Sequence, residues 1–309
     1  MTVRPVWYWE RARPYPVKRA WKKLPTVSTQ AAEPSVLAVL TTPAMLDEAA
    51  WVAWSWSRHL SDLVSPRIIV DGKVPSAFVR QVSRILPQVE CISMSEVLAG
   101  HLSAFDCLRY FCHAHPLGRK LAMILSLQEV ADVLYCDSDV LAFQEPQELV
   151  GCMHAGHACY NQEDGVASYD PDMLAAGQQE GLTPELRLNS GLLFLPKQSI
   201  DLQQANRLLS HWEPRSLNWF SEQTAMALLM NSAGAIGLTS ENYVVSNARQ
   251  FYWQPDIDYT RVQSRHFTGT TRHLMYLKGL PYLLRATQAP RTLPLRKGQA
   301  LNAAKAAVS

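Results

Sequence analysis

ADVLYCDSDVLAF, residues 131–143, is an apolar segment interrupted by two carboxylates. The apolar residues Val133, Leu134 and Tyr135 predict a buried β-strand, which leads to Asp137 and Asp139 with one serine between them. Two neighbouring carboxylates repel each other, and each is costly in a partly buried position unless a cation compensates it. This segment therefore predicts a strand that ends at a charged, ligand-binding position.

Strands and helices alternate on both sides of this segment. Such alternation predicts an α/β fold with a parallel sheet, and ligands of open α/β sheets bind beyond the carboxyl ends of the strands. The paired aspartates therefore lie where a ligand site is expected. SRHFTGTTRHL, residues 264–274, is predicted to be a polar loop. Further strands are predicted at 36–40, 66–72, 89–94 and 192–195, the last entered through residues 189–191. Helices are predicted at 45–60, 119–130, 200–212 and 221–232.

The D-x-D pattern alone is weak evidence, because the chain contains three copies of it. Only the first copy follows an apolar strand, whereas those at 170–172 and 256–258 lie in polar or proline-containing segments. Hard divalent ions with oxygen ligands commonly compensate paired carboxylates, so the context indicates Mg²⁺ or Mn²⁺ bridging to phosphate oxygens. The alternative is that one aspartate caps the next helix while the other is solvated.

Composition narrows the class of protein. The chain has 309 residues, of which 48% are hydrophobic and 18% charged, as in a folded globular protein. Its net charge of +2 excludes a molecule that binds polyanions through its bulk charge, and we expect no nucleic-acid partner. Six cysteines without regular spacing, and no export signal, predict free thiols and a cytoplasmic location. No apolar run approaches the length of about 18 residues that spans a bilayer.

The first 25 residues, MTVRPVWYWERARPYPVKRAWKKLP, are rich in basic and aromatic side chains and contain a single acid, Glu10. This mixture suits peripheral contact with an anionic lipid surface at the inner face of a membrane. The alternative is a flexible or surface-packed arm. A weaker basic patch, APRTLPLRKGQ, occupies residues 289–299. We predict an N-terminal arm over residues 1–33, one catalytic domain over 34–286 and a tail over 287–309.

Four motifs in order, VLYCDSDVL, LNSGLLFLP, EQTA and RHFTG, resemble those of GT-A-fold glycosyltransferases, most closely the retaining family-8-like enzymes. The resemblance spans residues 35–285 and implies a Rossmann-like, mixed but mostly parallel sheet flanked by helices. It implies a metal-dependent hexosyltransferase whose donor is a nucleotide sugar, with a UDP-sugar expected. The implied acceptor is a glycan, a lipid-linked molecule or a protein.

The resemblance also implies roles for individual residues. Asp137 and Asp139 address the metal and the donor ribose, and His266 supplies a third metal ligand. Gly269 lets the backbone approach phosphate. Arg272 replaces the lysine of the family pattern H-x-x-G-x-x-K, and no Pro-Trp pair follows it. Arginine can still clamp a diphosphate bidentately.

Further roles follow from the same resemblance. Lys120 matches a basic residue on the helix before the D-x-D strand, although a solvated helix residue is an equal alternative. Asn189 matches a residue that contacts the donor sugar, or it belongs to a strand-entry turn. Gln223 is placed facing the reacting sugar carbon, and Glu222 is the family aspartate or an ordinary acid at a helix N-terminus. Nucleotide contacts are expected from Thr41 and Thr42.

Three rival interpretations remain open. A phosphatase of the HAD-like class also ends an apolar strand in D-x-D and would use Asp137 as its nucleophile. A sugar-nucleotide-binding module without turnover would keep the same residues. CMHAGHAC, residues 152–159, contains two cysteines and two histidines and raises the alternative of a zinc site.

Overall fold

A computed structural model describes residues 15–99, 102–162, 168–184, 187–213, 218–246, 250–251, 253–269 and 271–288. Residues 1–14 of the predicted arm and the basic patch at 289–299 lie outside the described residues. The predicted limits of arm, domain and tail therefore stay predictions. Within the described ranges, no helix is long and apolar enough to cross a bilayer.

The described residues contain ten strands in two sheets. The strands are β1 (Ser35–Thr41), β2 (Val64–Val70), β3 (Glu90–Ser93), β4 (Val133–Asp137), β5 (Val140–Ala142), β6 (Cys159–Gln162), β7 (Leu188–Leu195), β8 (Ile236–Leu238), β9 (Tyr243–Val245) and β10 (Ser264–His266). Seven of them form the main sheet in the order β3-β2-β1-β4-β7-β6-β8, and β5-β10-β9 form a small second sheet. In the main sheet only β7 is antiparallel to its neighbours, β4 and β6. This confirms the expected mixed, mostly parallel sheet.

Helices cover both faces of the main sheet. They are α1 (Leu46–Ser57), α2 (Ser76–Val82), α3 (Met94–Leu98), α4 (Asp106–Ala114), α5 (Gly118–Gln128), α6 (Gln147–Ala155), α7 (Pro171–Gln179), α8 (Leu202–Ser210), α9 (Ser221–Ser232), α10 (Arg272–Leu274) and α11 (Leu280–Gln288), with a π-helical turn, Met275–Gly279, joining the last two. Successive residues of β1 enter different core clusters: Leu37 packs with α1, whereas Ala38 packs with α5 and α9. This period of two is typical of a strand buried on both faces.

The pairing of strands places the D-x-D segment beside a distant part of the chain. β4 ends at Asp137, which is in register with Leu40 of the neighbouring parallel strand β1. The chain then turns into β5, where Val140 pairs with His266 of β10. The prediction of a polar loop over residues 264–274 is therefore wrong at both ends: its first three residues form buried β10 and its last three form α10. The residues of β10 are polar, so the sequence lacks the apolar pattern of a strand. They nevertheless form one, because β5 and β9 pair with them on both sides.

Part of the predicted arm packs on the core. A 3₁₀ helix, Pro16–Lys23, buries Trp21 completely, and the Trp21 indole N–H donates to Asp47 Oδ1 over 2.7 Å. Tyr15 stacks on Tyr276 with 4.6 Å between ring centroids, and Lys18 Nζ lies 2.6 Å from Glu48 Oε1. Residues 15–23 therefore form a surface-packed segment, in which the Trp21 ring is buried and the Tyr15 ring is half-buried against Tyr276.

His59, just after α1, is held as a neutral side chain. Arg58 Nε donates to His59 Nε2 over 2.9 Å. Burial, and then the charge of Arg58, lower the pKa of His59 from 6.5 to about 3, against a hydrogen bond with Phe143 that raises it. Between these two values the unfolded chain binds more protons than the folded protein. The stability that His59 contributes is therefore complete above about pH 6.5 and is lost as the pH falls towards 3.

We expect the wild type to lose more free energy of unfolding than His59→Gln when the pH is lowered from neutral to acidic values. Glutamine can accept from Arg58 but does not titrate, so the variant lacks this proton uptake. Urea denaturation at a series of pH values measures the difference. Equal slopes of the free energy of unfolding against pH in the two proteins would contradict the assignment.

Candidate functional site

Asp137, Asp139 and His266 converge at the carboxyl edge of the main sheet. Their ligand atoms lie within 4.8 Å of one another, and His266 Nε2 is 3.2 Å from Asp139 Oδ1 and 3.9 Å from Asp137 Oδ2. In the part of the chain that the structure describes, this is the only group of three such side chains that could hold a metal ion. Among the described residues, the 152–159 segment forms no such group, so the structure gives no support to the zinc alternative.

Asn189 sets the tautomer of His266. The side-chain oxygen of Asn189 lies 2.8 Å from His266 Nδ1 and also accepts the Gly191 N–H over 3.1 Å. Because an amide oxygen can only accept, Nδ1 carries the ring proton and donates it. Nε2 is then the ring nitrogen that faces the two carboxylates. This nitrogen and the two carboxylates together offer three ligand atoms to a divalent cation, and the carboxylate oxygens suit Mn²⁺ or Mg²⁺.

Gly191, in β7, leaves the space that the imidazole of His266 occupies. An ideal Cβ at this glycine would lie 2.6 Å from His266 Nδ1 and 2.9 Å from Asn189 Oδ1. Real Cβ atoms do not make contacts this short, so any larger residue would displace the imidazole or the amide. Glycine is required here by packing against the candidate metal ligand.

Asp139 is 3% exposed and has a partner at each oxygen. His266 lies beside Oδ1, while Arg272 donates to Oδ2 from Nε over 3.1 Å and also from one terminal nitrogen. Burial alone raises the pKa of Asp139, but the charges of Arg272 and His266 outweigh burial and lower it. Asp139 is therefore a carboxylate at neutral pH, and it holds the guanidinium of Arg272 at the site.

Asp137 is partly exposed and is held from beneath by two donors. Tyr135, two residues earlier on β4 and on the same side of the strand, donates its hydroxyl to Asp137 Oδ1. Lys120 Nζ of α5 lies 3.4 Å from the same oxygen and 3.5 Å from Oδ2. The ring of Tyr135 is fully buried, and burial followed by the charge of Asp137 raises the pKa of its hydroxyl. Tyr135 therefore stays protonated and acts only as a donor to Asp137.

Lys120 also connects the D-x-D strand to α9. Its ammonium lies 3.0 Å from Ser190 Oγ and 3.5 Å from Glu222 Oε2, and Ser190 Oγ donates to the same Glu222 oxygen over 3.0 Å. Burial lowers the pKa of Lys120, but Asp137 and Glu222 outweigh burial and raise it, so the ammonium stays charged. The solvated-helix alternative for Lys120 is wrong, because the residue is 5% exposed.

Glu222 is a buried carboxylate with one unused oxygen. The residue is 1% exposed, and its Oε1 has no hydrogen-bond partner among the described residues. Burial is the largest influence on its pKa and raises it. Gln223, the next residue, accepts the Ser190 N–H over 3.4 Å and donates to Ser168 O over 3.2 Å. Both side chains of the E-Q pair are therefore joined to the β7 segment that holds Asn189.

The structure places the remaining predicted residues around the same edge. The Thr41 hydroxyl is buried against the carbonyls of Thr42 and Met45, while Thr42 is exposed just beyond the end of β1. Gly269 is exposed, and a Cβ there would meet open space, so packing does not require glycine at this position. A role for Gly269 in close approach to a ligand stays a prediction.

The sequence did not indicate that Tyr135 and Ser190 contribute to the site. For Glu222, an ordinary acid at a helix N-terminus was an equally good explanation. The alternation of β4 could have suggested Tyr135, since it shares a side of the strand with Asp137. No comparable signal exists for Ser190, because its contact with Lys120 joins residues 70 positions apart.

Comparison with known proteins finds solved structures that are similar to this one, but no match in sequence. No protein-family model matches this chain, and no characterised protein matches it in sequence. The galactosyltransferase LgtC, solved with donor and acceptor sugar analogues, matches with a TM-score of 0.50 and 13% identity, over 84% of this chain and 97% of that one. The bifunctional glycosyltransferase WbbM matches with a TM-score of 0.51 and 12% identity, over 85% of this chain and 53% of that one.

These likenesses agree with the strand order and the flanking helices described above. The chain therefore has the GT-A fold, an α/β fold with a mostly parallel, Rossmann-like sheet. At such low identity the likeness extends to the fold alone. The activity has to be argued from the residues of the site.

We expect Tyr135→Phe to weaken Mn²⁺ binding about 10- to 100-fold, the usual effect of removing a hydrogen-bond partner of a metal ligand. Phenylalanine keeps the buried ring but removes the hydroxyl that orients Asp137. Titration calorimetry or electron paramagnetic resonance of free Mn²⁺ measures the affinity. Tyr243→Phe is the matched control, because Tyr243 is equally buried and its hydroxyl accepts from the Leu149 backbone over 3.0 Å. Equal Mn²⁺ affinities in the two variants would contradict the role of Tyr135.

Gly191→Ala tests the packing around His266. The added methyl group has to displace His266 or Asn189, so we expect weaker Mn²⁺ binding and a loss of about 1–3 kcal/mol in the free energy of unfolding. Gly151→Ala is the control, since a Cβ there meets nothing within 4 Å and the residue lies in α6. That control should leave Mn²⁺ affinity unchanged and slightly raise stability. Wild-type affinity in Gly191→Ala would show that the imidazole position does not matter.

Proposed function

We propose that this protein is a metal-dependent glycosyltransferase that moves a sugar from a nucleotide-diphosphate donor to a glycan, lipid-linked or protein acceptor. One observation carries the proposal: at the ligand-binding edge of a GT-A sheet, the ligand atoms of Asp137, Asp139 and His266 lie within 4.8 Å of one another, and Asn189 holds the His266 ring with Nε2 facing the two carboxylates. This set of nitrogen and oxygen donors suits a divalent ion that also binds diphosphate oxygens.

Asp137, Asp139 and His266 are the residues that would hold Mn²⁺ or Mg²⁺. Such an ion, when bound, neutralises negative charge that develops on the departing nucleoside diphosphate. Arg272 is already at the site through Asp139 and offers a planar guanidinium that matches phosphate oxygens. Lys120 supplies a second fixed positive charge behind Asp137. Together these side chains favour cleavage of the bond between sugar and diphosphate without a side-chain proton donor.

Asn189 and Gln223 are proposed to act on the donor side of the site. Asn189 fixes the imidazole of His266 through its side-chain oxygen, and we propose that its amide group also faces the donor sugar. Gln223 is anchored beside Ser190, and we propose that it faces the anomeric carbon. Gly269, Thr41 and Thr42 are proposed to contact the phosphate and nucleotide portions. A UDP-sugar is the proposed donor.

Retention of anomeric configuration, as in the family-8-like enzymes, is part of the proposal. An inverting enzyme needs a base that can reach the acceptor hydroxyl. The carboxylate nearest to Gln223 in sequence, Glu222, is 1% exposed and is engaged by Ser190 and Lys120. It is therefore badly placed to deprotonate an incoming acceptor. We also propose that the protein works in the cytoplasm.

No observation favours the phosphatase alternative. That chemistry requires further carboxylates to hold magnesium beside the nucleophile. Throughout the described residues, the group around Asp137 contains only one other carboxylate, Asp139, and a histidine. Asp137 is also restrained by Tyr135 and Lys120, which stabilise a fixed carboxylate rather than a free nucleophile.

A donor screen tests the proposed activity. We expect Mn²⁺-dependent hydrolysis of one or more UDP-sugars by the wild type, and a higher melting temperature with UDP and Mn²⁺ together than with UDP alone. Asp137→Asn and Asp139→Asn each remove a metal ligand. We expect each to reduce turnover by more than about 100-fold, beyond the usual effect of losing an outer hydrogen-bond partner.

Asp258→Asn is the matched control, because Asp258 belongs to another D-x-D copy and is exposed. It should leave turnover unchanged. Binding of UDP and Mn²⁺ without turnover of any nucleotide sugar would assign the protein to the binding-module alternative. Failure to bind Mn²⁺, or turnover that survives both aspartate substitutions, would contradict the proposal itself.

A further inference from the structure

The charge of this protein is strongly segregated along the chain. Residues 1–23 and 289–309 contain 11 of the 29 Lys and Arg residues but one of the 27 Asp and Glu residues. These two segments therefore carry a formal charge of +10, while residues 24–288 carry −8. A net charge of +2 conceals this separation. Segregation of this size indicates a partner that meets one part of the molecule and avoids the rest.

The 3₁₀ helix Pro16–Lys23 turns its basic side chains outward. Its apolar side packs on the core, where Trp21 is fully buried. Arg19, Lys22 and Lys23 are exposed, and the Arg19 side chain is 81% exposed. The helix itself contains no acid. The nearest carboxylate to Arg19, that of Asp47, is 4.0 Å away and is already hydrogen-bonded to Trp21.

The C-terminal helix α11 lies beside this 3₁₀ helix. The two elements together line an open groove of about 590 Å³, with Arg19 and Lys23 on one side and Leu284 and Thr287 on the other. α11 also contains no acid, and its Arg285 is exposed. The last described residue, Gln288, directly precedes the basic sequence of residues 289–299. The 3₁₀ helix and the end of α11 thus lie at one surface of the fold, and each carries exposed basic side chains.

We infer that this surface, which we term the basic face and define by Arg19, Lys22, Lys23 and Arg285, docks the protein on an anionic lipid membrane. A planar membrane can meet the basic face without contacting most of residues 24–288, which carry the charge of −8. A long flexible polyanion such as RNA would also meet the acidic body, which repels it. The partner that fits the charge distribution is therefore a flat anionic surface.

The structure also indicates how the contact is made. In the described part of the arm, Trp21 is buried in the core and Tyr15 is stacked on Tyr276, so both aromatic rings are held by the protein. Attraction at the basic face is therefore electrostatic, with each Lys or Arg near an anionic surface contributing about a fivefold gain in affinity. Such attraction weakens as added salt shortens the Debye length.

Co-sedimentation of the full chain with vesicles tests the inference without any nucleotide sugar. We expect binding to vesicles that contain phosphatidylglycerol, no binding to pure phosphatidylcholine, and loss of binding at high salt. The triple variant Arg19→Gln, Lys22→Gln, Lys23→Gln should bind anionic vesicles roughly 100-fold more weakly, from three charges at about fivefold each. These side chains are exposed, so the variant should keep the circular dichroism spectrum of the wild type.

A second triple variant, Arg109→Gln, Lys197→Gln, Arg261→Gln, removes the same charge from exposed positions on other elements. It should bind anionic vesicles as the wild type does. Equal weakening by both triple variants would show that only bulk charge matters and would overturn the inference. Absence of vesicle binding would also overturn the inference. So would a single-stranded RNA oligonucleotide that binds the wild type more tightly than anionic vesicles do, if the first triple variant loses this RNA binding. None of these outcomes depends on glycosyltransferase activity.

Discussion

Asp137 and Asp139 bring two negative charges to the buried edge of the sheet, where their repulsion has to be compensated. The fold supplies different partners to each of them. Asp137 is held by Tyr135 and Lys120, whereas Asp139 lies between His266 and Arg272. Each carboxylate is therefore oriented by groups that leave the space between the two acids and the imidazole for a cation. The other features of the site can be understood as support for this arrangement.

The support comes from parts of the chain that are far apart in sequence. β7 contributes Asn189, Ser190 and Gly191, which respectively orient His266, bridge Lys120 to α9, and leave room for the imidazole. β7 can reach both the D-x-D strand and β6 because it runs antiparallel between them. The antiparallel strand is thus the element that joins the two halves of the site.

The same C-terminal segment serves the site and the basic face. Arg272 begins α10 and contacts Asp139, and Arg285 lies near the end of α11. Between them, Tyr276 stacks on Tyr15 and donates to Glu48, which also pairs with Lys18. The N-terminal 3₁₀ helix is therefore clamped to the helical segment that carries Arg272. These contacts join the basic face to the segment that carries Arg272.

Apolar periodicity and the end of a strand are local properties, so the sequence alone was enough to predict the α/β class, the main strands and helices, and a candidate site at the first D-x-D copy. It could not distinguish β10 from a polar loop, since a strand paired on both sides can consist of Ser264, Arg265 and His266. The orientation of the His266 ring, the restraint on Asp137 and the need for glycine at 191 become visible only in the tertiary structure. Those features depend on contacts between residues that are distant in the chain, and no local pattern records which side chains the sheet brings together.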